Sequence, residues 1–455
     1  MRVHTMAGFT WRAVTSVGFF LGFASAASAA GFALIEQSAS GLGNAFAGGA
    51  AIAEDPSTVY FNPAGLTRLS GTQVSIAGHV IAPSAQFGDG GATLNPLLGG
   101  SAISGGDGGE GGVTGVSPNF YYVNDFGGGV IFGLGINVPF GLATSYDKDW
   151  VGRYHAIDSD VKTVNINPSL AFRVDDRLSL GFGVSAQYLK ATLTNAIDFG
   201  TICYHEAGPL TCGAVSPQNA DGRISVEGDS WGVGFNLGLL YELTEATRVG
   251  FAYRSSVSHD LKGDGDFTVP ANFQALLDFQ GSTLFSDTGA SAGIDLPETV
   301  SLSLYHDLSP QWALMGDVTW TRWSRFDQLV VEFDNPDQPD NVQPENWKNN
   351  WRFSLGATYR PNTTWTLRAG VAYDQTPIPS AEHRTPRIPG NDRTWLAIGA
   401  GYRASERLSF DVGYAHLFVD DTPIDDVEVN TGHRLKGSYD NSVDIISAQM
   451  NWKFN

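Results

Sequence analysis

The sequence predicts an all-β membrane protein, a 14-stranded antiparallel transmembrane β-barrel with an N-terminal hatch (plug) in its lumen. Three observations predict it. Apolar residues recur with period two, tight and long connections alternate along the chain, and an export signal at the N-terminus is followed by no apolar helix.

The period is clearest between Trp231 and Leu243. Trp231, Val233, Phe235, Leu237, Leu239, Tyr241 and Leu243 alternate with Gly232, Gly234, Asn236, Gly238 and Glu242, and only Leu240 breaks the rule. Side chains on a strand point to alternate faces, so one face is oily and the other small and polar. Ala448, Met450, Trp452 and Phe454 repeat the pattern near the end of the chain.

The N-terminus reads as an export label. Arg2 and Arg12 flank the start, an apolar run spans Ala13 to Phe23, and Ala24 to Ala30 are all small. This predicts a signal peptide over 1–29, with cleavage near Ala27-Ser28-Ala29 and a mature chain starting close to Gly31-Phe32. A transmembrane anchor is the alternative, and it needs a longer run of about 20 apolar residues. No other segment approaches that length, so an exported chain lying in a membrane must do so as a closed barrel.

About fourteen alternating segments follow, centred near 78, 120, 137, 167, 186, 236, 254, 302, 318, 355, 369, 399, 413 and 449. Tight turns fall at Asn124 to Gly128, Val174 to Arg177, Thr244 to Thr247, Ser309-Pro310, Pro361 to Thr364 and Ala404 to Arg407. Long connections are expected between them, at 87–115, 146–159, 195–228, 260–296, 326–349, 375–393 and 419–442. Outer-membrane barrels sort their connections in this way. An even strand count puts both barrel ends on the periplasmic side. Trp351 and Tyr359, and Trp365 and Tyr373, fall near the ends of neighbouring strands, as aromatic girdles require. The last aromatic, Phe454, is penultimate rather than terminal.

Residues 30–70 do not alternate. They are small, helix-permissive and broken by glycine, too short for a domain and too apolar for a free tail. They are expected inside a barrel formed by 71–455.

Composition narrows the function. The net charge of −20 argues against nucleic acid, and the carboxylates are expected in exposed loops, where divalent cations bridge lipopolysaccharide. Cys203 and Cys212 are expected to close a surface loop as a disulfide; free thiols, or a metal site with His205, are the alternatives. Gly127-Gly128-Gly129 lacks the context of a phosphate loop, and Gly105 to Gly115 lacks the period of calcium repeats, so no cofactor or metal is expected. His155, Ser159 and His306 form no local triad pattern, so no enzyme is expected.

Several motifs resemble those of the long-chain fatty acid transporters of Gram-negative outer membranes, the FadL-type family. They are Gly31-Phe32 through Glu36-Gln37-Ser38-Ala39-Ser40-Gly41-Leu42-Gly43, Ala51-Ile52-Ala53-Glu54-Asp55-Pro56 and Asn62-Pro63-Ala64. Pro139-Phe140-Gly141-Leu142-Ala143-Thr144, Trp150-Val151-Gly152-Arg153-Tyr154-His155 and Thr385-Pro386-Arg387-Ile388-Pro389 resemble the same family. The resemblance spans essentially the whole mature chain. It implies a hatch-blocked fourteen-stranded barrel that takes hydrophobic substrates from outside and releases them sideways at a kink in the third strand.

Here that strand contains Pro139-Phe140-Gly141, and proline cannot donate to a ladder while glycine weakens it. A simple edge bend is the alternative. Gly31, Phe32, Asn62, Pro63 and Ala64 are the hatch residues expected at the gate, with Asn62-Pro63-Ala64 packed against the kink.

Phe273, Leu276, Leu277 and Phe279 lie at helical spacing in a long loop, giving a candidate capture groove or, alternatively, a helix packed on neighbouring loops. Arg153, Lys190, Arg384, Arg387 and Arg393 are candidate lumenal cations for a carboxylate head group. The expected partners are a long-chain fatty acid or another hydrophobic small molecule, and outer-membrane lipid and lipopolysaccharide, with the protein acting as a monomer. Uptake of aromatic hydrocarbons and a surface receptor or adhesin role are the competing functions. A diffusion porin is disfavoured by the apolar N-terminal segment.

Overall fold

The computed structural model describes residues 31–213 and 215–454; the predicted signal peptide lies outside them. Fourteen strands close the barrel. β1 (Thr72–Asp89) and β2 (Gly115–Asp125) lead into β3, which consists of two pieces, Val130–Asn137 and Gly141–Ser145. β4 (Asp158–Arg173), β5 (Leu178–Asp198) and β6 (Asp221–Thr244) are continuous. β7 (Thr247–Arg254, Val257–Thr268) and β8 (Thr288–Leu296, Thr299–Asp307) are divided, as are β9 (Trp312–Thr321, Gln328–Phe333) and β10 (Asn341–Pro344, Asn350–Tyr359). β11 (Trp365–Asp374), β12 (Arg393–Arg403), β13 (Leu408–Val419 with Thr422–Val427) and β14 (Arg434–Lys453) complete the wall. Neighbours pair antiparallel, and β14 closes on β1 from Gln73↔Lys453 to Asp89↔Gly437.

The alternating pattern becomes a lipid face. Trp231, Val233, Phe235, Leu237, Tyr241 and Leu243 all project outward, and Val233 is 81% exposed. Trp351, Trp365 and Tyr373 stand on the same outer surface, with Trp312 stacked on Tyr359 and Trp365 tilted against Tyr402. These rings suit the boundary between hydrocarbon and water.

Three of the seven long connections stand nearly as the sequence predicts, at 90–114, 146–157 and 375–392, and the other four are shorter. The expected loop 195–228 narrows to 199–220, because β5 and β6 stay paired from Leu178↔Tyr241 to Asp198↔Asp221. The expected loop 419–442 narrows to 428–433, with Thr422↔Tyr439 to Val427↔Arg434 in register. Likewise 260–296 narrows to 269–287, and 326–349 contains paired pieces of β9 and β10. A strand needs only about 9–11 residues to cross the bilayer. Beyond that height lipid no longer enforces alternation, yet the hydrogen-bond ladder continues.

Residues 31–70 fill the lumen with three short helices, α1 (Ala39–Gly43), α2 (Gly49–Ile52) and α3 (Thr58–Phe61), and a 3-10 turn at Pro63–Arg68. Ser38 caps α1 by accepting from the Gly41 amide, and Asn62 caps the 3-10 turn by accepting from the Ala64 amide. Glycines on the inner wall make room for this close approach. A Cβ on Gly370 would lie 2.2 Å from the Asn44 backbone, and one on Gly250 would lie 1.9 Å from the Ala50 carbonyl oxygen. Arginines then fix the seat: Arg248 donates to Ala51 O and Ile52 O, Arg254 to Tyr60 O, Arg352 to Ala45 O and Arg173 to Thr67 O.

Gly370→Leu is therefore expected to insert but to force the plug off β11, at a cost on the order of 1–3 kcal/mol. Planar-bilayer recordings should show raised ion conductance, and a lumen as tight as wild type would show that this contact does not hold the plug.

Candidate transport site

The wall is incomplete beside β3. On the β4 side, Asn137 pairs with Asn165 and Gly141 with Lys162, so Val138, Pro139 and Phe140 stand opposite only Thr163 and Val164. Pro139 has no amide hydrogen to offer. The Thr163 hydroxyl bridges the irregularity, accepting from the Phe140 amide at 3.0 Å and donating to the Phe140 carbonyl at 2.6 Å. On the β2 side, pairing with β3 begins only at Phe120↔Ile136. The stretch Gly115–Asn119 is in register with β1 but not with β3. A single bridge, Gly112↔Thr144, spans the top of the gap.

The start of the plug occupies this break as an added strand. Ala33 lies opposite Phe140, the Leu34 amide donates to Pro139 O at 2.8 Å, and the Gly141 amide donates to Phe32 O at 2.9 Å. Gln37 Nε2 donates to Val138 O, also at 2.9 Å. From the β2 side, Asn119 Nδ2 donates to Glu36 O and the Tyr121 hydroxyl to Gln37 O. Phe32 is buried among Phe140, Trp323, Phe326 and Trp347, with ring centroids 5.0–6.1 Å away. Gly31, at positive φ, has no room for a side chain: a Cβ would lie 2.6 Å from the Trp347 ring.

Asn62-Pro63-Ala64 is not at the break, contrary to the sequence-based expectation. It stands on β5 and β6, where a Cβ on Gly181 would lie 2.3 Å from Ala64 N and one on Gly238 2.0 Å from Asn62 Oδ1. Asn62 Nδ2 donates there to Ala50 O and Leu239 O. Two facing glycines make that seat, and the break is met by Phe32–Gln37 instead.

On the loop side of Phe32 lies a pocket of about 810 Å³, its open mouth included. Leu142, Val161, Leu189, Leu261, Ile294 and Ile388 make it apolar, and Phe32 lines it as well. Arg387 and Glu345 are the charged residues from the loops that line it. Arg387 donates to Asp158 O, Ser159 Oγ, Thr194 O and Asn195 Oδ1, all neutral acceptors. Burial lowers its pKa to about 10, so it stays cationic at neutral pH. Glu345 accepts from Trp347 Nε1 at 2.9 Å, and burial raises its carboxyl to about 8, which keeps it neutral there.

The other candidates are dispersed. Arg153 ties loops together through Asp221, Ser104 O and the Tyr154 hydroxyl. Lys190 faces outward beside Tyr188 and pairs with Glu227 at 2.6 Å, because inward positions on β5 are the odd-numbered Leu189, Ala191 and Leu193. Arg384 donates to Gly390 O and Pro423 O, and Arg393 pairs with Asp374 at 3.0 Å.

In the loops, α5 (Ala271–Gln280) packs Phe273 and Leu277 onto Phe199 of α4 (Phe199–Ala207) and the bonded sulfurs of Cys203 and Cys212. Leu276 is partly buried, and Phe279 is 89% exposed. Trp323, Phe326, Trp347 and Glu345 escaped the sequence reading, since they lie in strand interruptions where no period marks a face.

A closed, plugged barrel with an apolar pocket under its loops defines an outer-membrane channel for hydrophobic small molecules. The chain belongs to the outer membrane protein transport protein family (OMPP1/FadL/TodX), which it matches over residues 20–454. It is 32% identical over 401 residues to the long-chain fatty acid transport protein of Escherichia coli O6:H1, covering 85% of this chain and 86% of that one. A Pseudomonas aeruginosa FadL homologue superposes with a TM-score of 0.85 at 27% identity, covering 94% of this chain and all of that one. The Ralstonia pickettii toluene transporter TbuX shares the fold, with a TM-score of 0.63 at 21% identity, covering 90% and 97%. The protein resides in the outer membrane, and its relatives are transporters rather than enzymes.

Phe32→Ala removes the ring that holds the added strand, a truncation worth about 3–5 kcal/mol in a well-packed site. Hydrogen exchange should accelerate at the Leu34 and Gly141 amides and stay slow at Ala45. Unchanged protection at Leu34 would show that the backbone pairs alone hold the strand.

Proposed function

We propose that the barrel takes up long-chain fatty acids, holding the tail in the apolar pocket with the carboxylate toward Arg387 and releasing the molecule sideways at the β3 break. The observation that carries this reading is the placement of Phe32–Leu34. These residues separate the pocket from the gap in the wall, and they are held there by two backbone hydrogen bonds and ring contacts. Withdrawal of this leaf joins the pocket to the gap. A fatty acid tail gains roughly 0.8 kcal/mol per buried methylene, so a route from pocket to lipid keeps that gain throughout. The name of the Escherichia coli relative supports a fatty acid cargo, as does a cationic guanidinium lining the pocket without an anionic partner among its hydrogen-bond acceptors.

Aromatic hydrocarbons are the second reading, favoured by the apolar lining and by the likeness in fold to a toluene transporter. Arg387 decides between them, since a hydrocarbon has no use for it.

Ala33 and Phe140 are a directly opposed pair flanked by hydrogen bonds, and in such pairs the Cα atoms lie about 4.5 Å apart. That spacing accepts a disulfide. With Ala33→Cys and Phe140→Cys oxidised together, oleate binding to the purified barrel should persist while cellular uptake stops, and reductant should restore uptake. Continued uptake through the locked form would refute release at this break.

A second outcome follows from Glu345. Its raised carboxyl ionises as pH climbs through about 8, placing a fixed anion in the pocket with Arg387. Oleate affinity should fall several-fold between about pH 7 and about pH 9, and Glu345→Gln should flatten that dependence. A flat profile in wild type would remove Arg387 and Glu345 from the head-group site.

A further inference from the structure

The gap between β2 and β3 has two edges, and both carry polar side chains on the lumen face. Its base is the last registered pair of the two strands, Phe120↔Ile136. Asn119 and Asn137 are the first residues beyond that pair, one on each edge. Strand alternation turns both inward with Tyr121 and Gly135, and they are only 2% and 1% exposed. Neighbouring strands lie about 4.8 Å apart, so beside the last pair the two amides flank a space one head group wide. Ser117, two residues farther along the β2 edge, is inward and buried as well.

The closed barrel uses only part of their hydrogen-bonding capacity. Asn119 Nδ2 donates to Glu36 O of the leaf at 3.0 Å. Asn137 is registered with Asn165 of β4, whose Nδ2 donates to Asn137 Oδ1 at 3.1 Å. That bond leaves Asn137 Nδ2 on the β2 side, facing the Tyr121 hydroxyl without closing a hydrogen bond to it. The hydroxyl gives its own proton to Gln37 O. Asn137 Nδ2, Asn119 Oδ1 and Ser117 Oγ have no hydrogen-bond partner among the described residues. Withdrawal of the leaf takes the Glu36 carbonyl away from Asn119 and uncovers both amides at the base of the gap.

A head group that follows its tail through the break passes these edges. No water stands in the hydrocarbon region to bond it, and an ionised carboxylate is costly to bury without donors. Its two oxygens accept from amide N–H groups more strongly than a neutral oxygen does.

We propose that Asn119 and Asn137 form a polar sill at the exit, donating hydrogen bonds to the carboxylate of a departing amphiphilic acid while its chain enters lipid. The assignment deepens the uptake reading and rests on release at the β3 break. Asn165 is a positioning residue, since it holds Oδ1 of Asn137 and keeps Nδ2 on the side of the gap. A hydrocarbon makes no use of the sill.

The test is uptake of radiolabelled oleate by cells carrying the full barrel, with oleate binding and hydrogen exchange measured on the purified protein. Asn119 is left in place because it holds the leaf. Asn137→Leu combined with Asn165→Leu removes both partners of one bond, keeps the branching of the side chains and breaks no hydrogen bond to the leaf. Oleate uptake should fall about tenfold or more, while oleate affinity and exchange at the Leu34 amide stay as in wild type. Asn137→Thr with Asn165→Thr returns hydroxyl donors and should recover most of the rate. Wild-type uptake in the leucine pair would overturn the sill. So would equal slowing in the leucine and threonine pairs, or slowing accompanied by faster exchange at Leu34 or weaker oleate binding, since the asparagines would then act through the leaf or the pocket. The oxidised Ala33→Cys, Phe140→Cys barrel separates the two readings. Uptake that continues through that lock refutes release at the break and the sill with it, whereas uptake stopped by the lock but unchanged in the leucine pair overturns the sill alone.

Discussion

Inside lipid, each backbone amide and carbonyl must find a partner within the protein, because no water is there to supply one. The barrel meets that demand around its circumference, with β14 returned to β1 over seventeen registered pairs, from Gln73↔Lys453 to Asp89↔Gly437. Its ladder is broken within β3, where Pro139 lacks an amide hydrogen and an extra residue bulges against β4. The carbonyls of Val138 and Pro139 and the amide of Gly141 are instead satisfied by the plug. Wall and plug are thus parts of one hydrogen-bonding system.

This system is strong in one region and weak in another. From Ala45 onward the plug is held by arginine donors from several strands, each such bond to a charged donor worth about 1.5–3 kcal/mol. Ion pairs reinforce the periplasmic end, where Glu54 of the plug meets Arg360 at 2.7 Å and Arg368 at 3.7 Å. Upstream of Ser38 the hydrogen bonds to the wall are backbone and amide bonds, joined by aromatic packing and by the buried Glu36 carboxyl in the field of Arg393 and Arg352. Local opening free energies differ across a structure in the same way, and segments that move are drawn from the weaker end. In the proposed release, the leaf Phe32–Gln37 separates from β3 while the arginine-anchored body stays seated.

Much of this was legible in the sequence, for identifiable reasons. Lipid punishes a polar residue on the outer face, so the alternation from Trp231 to Leu243 had to appear, and a tight turn such as Pro361 to Thr364 had to separate two such runs. Above the membrane that pressure ends, and the paired extensions of β5, β6, β13 and β14 looked like loops. Pro139 announced a ladder defect by its chemistry. The seat of Asn62-Pro63-Ala64 stayed hidden because it depends on Gly181 and Gly238, distant in sequence, coming to face each other. Arg352 was equally silent. Its meaning lies in what meets it, the Ala45 carbonyl of the plug, and no spacing encodes that meeting.

The same short leaf bounds three spaces. Phe32 lines the apolar pocket, Ala33, Leu34 and Ile35 line a second, charged chamber, and Phe32 and Leu34 supply the bonds that fill the gap in the wall. One displacement therefore changes all three together. A methylene chain in the upper pocket stands to lose roughly 0.8 kcal/mol for each group pushed into water, and nothing for each group passed to lipid. A head group has the opposite preference, since lipid charges it several kcal/mol or more while a guanidinium welcomes it. In the proposed route, an acid with its carboxylate toward Arg387 and its tail free to follow the leaf toward β3 satisfies both halves at once. A hydrocarbon has only the tail's preference to obey. On that proposal the position of a buried arginine, rather than the width of the barrel, sets which hydrophobic molecules the channel retains and which it merely passes.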